Sequence, residues 1–504
     1  MSRDPPKKKV AIIGTGGAGM SCASTLADHP DQFEVTMIDV ESHTGGQATS
    51  ISLDKSKYGA SWMNEGVQGD LQSSVTHFTS FKDTAMSLSQ SNSRSLLEKE
   101  IKKLGRVLKC IKYLMPLLGL LPVKLILRIF CFSHQFSNKM VLPLLALFLG
   151  TGNQTVNVPS VLLERLFDDP QMKLWDYDPD TLLPNLPTMY TFPNLGDFYE
   201  DWAKDLRAKG VKMRLNSTVT ILKRDSKDII LDIQSKDNDH DQRSSHPSAE
   251  IFDELVFCCP ADQAKRLLGQ HATWRERYVL GGVKFFNDIT ITHSDSSYFQ
   301  SIFQAQYDPS LCTKLSLKKR KDQISFAEQQ PTCEKDGWQG FQPMYYTHSL
   351  ATEPEKIEMG FDCTNYQHQF RDSLGEGQRP LPHNRHVFQT IFLNDREKNL
   401  WTWDKIDESK IISKKWWHQF GHRWQHYLRV VPGMMFINGQ NRTHFAGSWT
   451  LVNMHEIACI SGIAAAYQLG ATYEPFDDLA EEFFAKYLLV CHGTRYKKGK
   501  ANTR

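Results

Sequence analysis

The segment that most constrains this chain lies near its start: Val10-Ala-Ile-Ile-Gly-Thr-Gly-Gly-Ala-Gly19. An apolar run suited to a strand breaks into glycines and then into Met20 to Ala27, a stretch compatible with a helix. Gly14, Gly16 and Gly19 have the spacing G-x-G-x-x-G, with Gly17 inside it. Between strand and helix each glycine has its own task. The first allows the tight turn, the second lets a pyrophosphate approach the backbone, and the third lets helix and strand pack closely. The helix then offers unpaired N–H groups and the positive end of its dipole to the phosphates. A second strand, Phe33 to Ile38, ends in Asp39, twenty residues beyond Gly19. An acid there accepts hydrogen bonds from ribose hydroxyls and repels a 2′-phosphate, which favours NAD or FAD over NADP.

A chain of 504 residues is long enough for two or more cores, and 40% hydrophobic with 23% charged residues is a folded globular composition. The net charge of +2 gives no reason to expect nucleic acid as a partner. No secretory signal precedes the first strand, so the sequence reads as cytoplasmic. Ten scattered cysteines without a C-x-x-C pair suit reduced thiols rather than a disulfide framework or a zinc cage.

Past Asp39 come Gly45-Gly46-Gln47 and then Tyr58-Gly-Ala-Ser-Trp-Met-Asn-Glu-Gly-Val-Gln-Gly69. Paired glycines let a backbone pass close to a large flat ligand. Here the chain resembles the flavin-containing amine oxidoreductase superfamily, in which Gly-Gly-Arg follows the acidic strand end. Gln47 stands where the arginine would be, keeping hydrogen-bond donors without the charge. The resemblance continues through a helix at Asp197 to Leu206, a strand from Val211, and Phe252-Asp-Glu-Leu-Val-Phe-Cys-Cys-Pro-Ala261. It implies that Val219 contacts adenine through its main chain.

The other strong stretch lies near the end. His444-Phe-Ala-Gly-Ser-Trp-Thr450 leads to Asn453-Met-His-Glu-Ile-Ala-Cys-Ile-Ser-Gly-Ile-Ala-Ala-Ala-Tyr467. A strand ending in Ala-Gly delivers Gly447 and Ser448 to the ligand, and small residues in the following helix permit close packing. This is similar to the superfamily's closing signature at Phe445, Ala446, Gly447, Glu456, Ala458, Ser461, Gly462, Ala465 and Ala466. A helix N-terminus at Met454, His455 and Glu456 would set its dipole against a flavin's pyrimidine oxygen, where reduction builds negative charge. A dehydrogenase using NAD alone gains nothing from such a return, so the resemblance implies FAD. Members that tether flavin do so through a cysteine shortly before this signature. Leu428 to Gly447 holds none, which implies non-covalent FAD.

From Leu96 to Leu149 the chain is unusually apolar, yet lysines, an arginine and prolines keep every run shorter than a bilayer span. Two readings stand: buried helices roofing a substrate cavity, or a surface over residues 108–149 making peripheral membrane contact. Both suit an apolar small-molecule substrate. Catalysis in the superfamily comes mainly from the flavin, and several members hold a water with a lysine, for which Lys284 is the nearest candidate. Trp401, Trp403 and Trp449 offer an aromatic wall or simple packing. His418, His422 and His426 recur every fourth residue, which on a helix gives one face. Without an H-E-x-x-H motif they read as packing or substrate contact, and no metal is expected.

The expected fold is α/β: a two-part FAD-binding Rossmann-like domain from 1–80, 205–270 and 430–480. An inserted mixed β-sheet and helical substrate domain takes 81–204 and 271–429, and 481–504 form a C-terminal tail. Polar loops are expected at Lys236 to Ser248 and Lys314 to Gly337. The expected function is an FAD-dependent oxidoreductase taking a hydride from a C–N or C–C bond. The alternatives are a redox-neutral double-bond isomerase of fatty acids or other lipids, and a non-catalytic flavin-binding module.

Overall fold

A parallel sheet built from distant parts of the sequence organises the molecule. In the computed structural model, residues 6–65, 91–149, 154–168, 177, 192–236, 249–303, 332–334, 337–339, 345–350, 352–353, 355–372 and 381–499 are described. Most of the two polar loops expected from the sequence lies outside them, as does Gly66 to Gly69.

Strand β1 (Lys8–Ile13) runs into helix α1 (Gly17–Ala27) and then β2 (Phe33–Ile38). A hairpin follows, β3 (Ser50–Ser52) and β4 (Trp62–Asn64). Beyond α2 (Ser91–Tyr113), α3 (Val123–Ile129) and α4 (Leu195–Ala208), the sheet resumes with β5 (Lys212–Arg214). A meander of β6 (Ser217–Arg224), β7 (Ile229–Ser235) and β8 (Ala249–Phe252) leads to β9 (Glu254–Phe257). The expected strand from Val211 is thus two strands in two sheets, broken at Asn216, whose φ of 50° turns the chain. Residues 444–446 and their neighbours return it to the first sheet as β17 (Thr443–Phe445), giving the order β17-β9-β1-β2-β5, every pair parallel. Val10, Ala11 and Ile12 at its centre are fully buried, as expected of a parallel strand covered on both faces.

The second layer is antiparallel. It contains β10 (Phe285–His293), β13 (Tyr345–Ser349), β14 (Ile357–Asp362), β15 (Phe388–Ile391) and β16 (Ile411–Phe420), in the order β13-β14-β15-β10-β16. A separate short hairpin joins β11 (Thr332–Glu334) to β12 (Gly337–Gln339). Here one sequence expectation is overturned. His418 lies on strand β16, His422 follows its end, and His426 opens a helical turn, so the three share no helix face. Two-residue alternation through Trp416–Phe420 pairs this segment with β10 across its whole length.

The closing helix α5 (His455–Leu469) packs along α1, and α6 (Asp478–His492) packs on α5. The described part of the expected tail, residues 481–499, is therefore not simply a tail: Phe484, Tyr487, Leu488 and Cys491 are buried, and the Tyr487 hydroxyl lies 2.7 Å from Thr450 Oγ1. The apolar stretch divides along its length. Leu142, Leu144, Leu145 and Ala146 enter the main core, whereas Tyr113, Leu114, Leu117, Leu125 and Ile129 are exposed. Among the described residues no helix is long and apolar enough to cross a membrane.

Asp288, inside the second sheet, is 1% exposed and its Oδ1 has no hydrogen-bond partner. Burial, aided by Asp395, pushes its carboxyl up to about 8 from an ordinary 3.8. A carboxyl raised on folding takes stability away as pH climbs from the unfolded pKa to the folded one, because only the unfolded chain ionises over that window. Asp288→Asn removes this cost. The variant is expected to be more stable than the parent by an amount that grows between pH 4 and 8, at most ~1.4 kcal/mol per pH unit, and then levels. Thermal melting across that range checks it; a difference that does not change with pH would refute the assignment.

Candidate dinucleotide-binding site

The glycine loop is built by packing before any ligand is considered. Gly14 has φ +110°, and a Cβ there would lie 2.7 Å from the Cys258 carbonyl oxygen. A Cβ on Gly19 would fall 1.9 Å from the Gly14 carbonyl oxygen, so first and third glycines are forced by the strand–helix approach. Gly16 is different. Its φ of −75° is open to any residue, and a Cβ would meet nothing closer than 3.9 Å. Nothing among the described residues requires glycine here, whereas a group approaching the backbone from outside would. No side chain caps the N-terminus of α1, and its first turn holds no acid. Its leading N–H groups and dipole are thus free to face an anion.

The expected partners gather around this loop. The Gly45 amide donates to the Thr15 carbonyl at 2.9 Å, and Gly45 and Gly46 both have positive φ. A Cβ on Gly46 would lie 3.3 Å from Gly16 Cα. Asp39 at the end of β2 accepts from the Thr15 amide at 2.7 Å and Thr15 Oγ1 at 2.8 Å through Oδ2, and from the Glu41 amide at 3.0 Å through Oδ1. It therefore organises the loop first, and Oδ1 retains acceptor capacity for a ribose hydroxyl. Val219 sits on β6, opposite Ile233, and this strand starts beside Asp39 because the Ser217 amide donates to the Asp39 carbonyl at 2.8 Å.

From the far end of the chain, β17 brings Gly447 to the same edge of the sheet. Its φ of +139° excludes a side chain, and its amide donates to Ser461 Oγ at 2.7 Å. Ser448 Oγ lies 3.4 Å from Asn453 Oδ1 in the turn that precedes α5. Met454 is the N-cap of α5 without a side-chain cap, and Glu456 stands in its first turn. His455 reaches back to the glycine loop: a Cβ on Gly17 would lie 3.3 Å from its Nε2. The N-termini of α1 and α5 thus converge. Burial keeps the His455 pKa below the ordinary value, favouring a neutral ring beside two positive helix ends.

The second sheet meets this loop through residues that sequence reasoning missed. Gln47 Nε2 donates to the His418 carbonyl of β16 at 3.2 Å. Two residues beyond Gln47, Thr49 contacts Lys415 of the same strand, and the Lys415 ammonium lies 3.5 Å from Glu65. Ser413 donates to Glu65 at 2.9 Å. Burial pulls the Lys415 pKa down against the opposing charge of Glu65. Tyr199, fully buried on α4, places its hydroxyl 2.5 Å from His455 Nε2. A strand lysine and a helical tyrosine carry no local motif; only pairing across the fold singles them out. Lys284, by contrast, is exposed just before β10 and its carbonyl accepts from the Gly421 amide at 2.8 Å.

The three tryptophans do not form one wall. Trp401 and Trp403 stack at 5.9 Å in the core of the second sheet, while Trp449 donates to the Cys259 carbonyl at 3.1 Å beside Gly447. Among the described residues one buried group, Asp362, His383 and His386, brings metal-ligating atom types within 4.8 Å of one another. The His386 ring nitrogens meet Asp362 Oδ2 and the Leu381 carbonyl, each at 2.8 Å. Both partners are acceptors, so both nitrogens carry hydrogen. Burial opposes that charge, but Asp362 outweighs it and holds the His386 pKa above its ordinary value. The group is an ion pair rather than a ligand set.

Lys415 and Glu65 are the test of how the two sheets are joined. Their side chains are 20% and 6% exposed, so removing either charge strands the other in a poorly solvated position. Lys415→Met and Glu65→Gln are each expected to cost about 2 kcal/mol, and the double variant clearly less than their sum. A double-mutant cycle in urea measures this; additive losses would mean the charges are not coupled.

Residues 12–78 match the NAD(P)-binding Rossmann-like domain family. No curated protein matches the chain. Among solved structures, a protein from Exiguobacterium sp. 255-15 provisionally named protoporphyrinogen oxidase is 13% identical, with 92% of this chain and 99% of that one covered at a TM-score of 0.54. Wild-type putrescine oxidase bound to putrescine is 11% identical, with 92% and 99% covered at a TM-score of 0.51. A double mutant of putrescine oxidase gives the same identity and coverage at 0.52. Likeness at such identities is likeness of architecture. The chain therefore shares its overall architecture with these oxidases and carries, near its start, a segment that matches the NAD(P)-binding Rossmann-like domain family.

Proposed function

We propose that the protein is an FAD-dependent oxidoreductase that removes a hydride from a C–N or C–C bond of an apolar or amphipathic small molecule, with the flavin held non-covalently. The observation that carries this reading is Gly16, a glycine with no internal reason to be one, beside the converging N-termini of α1 and α5. FAD, when bound, supplies the hydride acceptor. The protein's own share is to bind and orient. Gly14, Gly16, Gly17 and Gly19 with the start of α1 take the diphosphate, and Asp39 takes the adenosine ribose. The main chain of Val219 serves adenine. Gly45 and Gly46 would let the backbone pass close to the flavin, Gln47 would offer its amide to the pyrophosphate where the superfamily has arginine, and Gly447, Ser448, Met454, His455 and Glu456 would serve the flavin's pyrimidine edge. Of the two lysines considered, Lys415 suits a water-holding role better than the exposed Lys284, because it is held against Thr49 and Glu65 next to the Gly45–Gln47 turn.

The substrate is read as apolar from the buried helices between Val123 and Ala146, and the alternative reading of 108–149 as a peripheral membrane contact takes its support from the exposed Tyr113, Leu114, Leu117, Leu125 and Ile129. Anaerobic titration of the purified protein with amine, sterol and fatty-acid panels, following flavin absorbance, tests the function. Bleaching by a substrate with stoichiometric reduction of an acceptor is expected. A product isomeric with the substrate and no net electron transfer would replace this reading with redox-neutral double-bond isomerisation. Gly16→Val tests the site itself. Because its backbone φ is ordinary and the Cβ position open, the variant should melt within a few degrees of the parent yet retain at most about a tenth of the flavin. A parent protein that is colourless and takes up no FAD would end the proposal.

A further inference from the structure

The strongest feature outside the nucleotide site is the surface of α2 and α3. From Ile101 to Leu163 the sequence contains no aspartate or glutamate but eight lysines and arginines. Lys102, Arg106, Lys109 and Tyr113 follow one another at helical spacing on α2 and are all exposed. Where this basic row ends, apolar side chains take over. Tyr113 is 80% exposed, Leu114 49% and Leu117 74%; on α3, Leu125 and Ile129, four residues apart, are 41% and 52% exposed. The two helices form one surface. Val107 and Ile111 of α2 pack with Ile126 of α3, and the Lys103 ammonium donates to the Cys131 carbonyl at 2.9 Å beyond the end of α3.

We infer that this face docks on an anionic lipid bilayer, with Leu117, Leu125 and Ile129 entering the headgroup boundary and the basic row of α2 lying over acidic headgroups. The inference rests on the membrane half of the proposed function and needs none of its flavin chemistry. Charge selects the occupant. Lys112 is paired with Asp168, and Lys124 and Arg128 share the single charge of Glu355, while Arg106 and Lys109 add exposed cationic charge beside the apolar patch. A second copy seated on the same face would bring two such rows together, whereas an anionic membrane compensates them. An exposed tyrosine between basic and apolar residues fits the headgroup level, where amphipathic rings collect.

Co-sedimentation of the full-length protein with vesicles tests this. Vesicles of phosphatidylcholine with 30% phosphatidylserine, a composition of about the charge of a cytoplasmic leaflet, should bind the protein at least tenfold better than phosphatidylcholine alone, with loss in high salt. Leu117→Asp and, separately, Arg106→Glu with Lys109→Glu should each lower binding about tenfold or more. Both variants alter exposed residues, and an unchanged circular dichroism spectrum and flavin content confirm that fold and nucleotide site are intact. Equal binding of variants and parent overturns the inference, as does no binding of the parent. A dimer that Leu117→Asp turns into monomers, without vesicle binding, overturns it in favour of a second copy. Flavin uptake is read in the same samples, so failure of docking and failure of the flavin reading are told apart.

Discussion

Everything at the nucleotide site depends on how closely α1 and α5 approach. A Cβ on Gly462 would lie 2.0 Å from the Ala18 carbonyl oxygen, so backbone touches backbone. Ala465 and Ala466 continue the contact without adding bulk, and both are fully buried. That approach fixes where the two helices begin. Each carries the partial positive charge of its uncapped N–H groups, and two such ends near one another repel unless an anion lies between or beside them. Burial favours a neutral His455, neither helix has a side-chain cap, and the one acid in either first turn, Glu456, is itself held toward its neutral form by burial, which leaves room for an anion from outside. The proposed diphosphate site therefore rests on helix packing as much as on the glycine loop.

The sequence makes this half of the molecule legible because its code is local. Gly14 and Gly19 can be read in isolation since each is demanded by neighbours within a few residues or by the next strand, and Asp39 is located by its place at the end of β2. The closing stretch is legible for the same reason: Gly447 needs a positive φ, and Gly462 and the alanines need small volume. Whether Gly16 serves a ligand or a turn becomes clear only in three dimensions, where neither its φ nor its surroundings require glycine.

The second sheet is less legible. Its strands pair across gaps in sequence, β10 with both β15 and β16, and no motif marks such a register. The histidines at 418, 422 and 426 illustrate the difficulty. A four-residue recurrence imitates a helix face, but the bulky run Trp416–Phe420 fits a two-residue repeat equally well, and pairing with β10 decides between them. Lys415 is hidden by the same ambiguity. Beside Lys414 it reads as surface charge, yet on a strand the two point to opposite faces: Lys415 meets Glu65, while the Lys414 ammonium lies 4.9 Å from the Trp403 ring centre.

That sheet also fixes the separation between the two surfaces to which function has been assigned. Its β16 edge touches the nucleotide loop through Gln47, Thr49 and Glu65. Its opposite edge carries the helical layer, where the Tyr345 hydroxyl donates to the Pro143 carbonyl at 3.3 Å and Glu355, just before β14, receives Lys124 of α3. Five strands span roughly 20 Å from β13 to β16. Interstrand hydrogen bonds set this distance, and because a one-residue slip would turn every side chain to the wrong face, the register is set as well. The antiparallel layer therefore acts as a fixed bridge between the glycine loop at its β16 edge and the helical layer at its β13 edge.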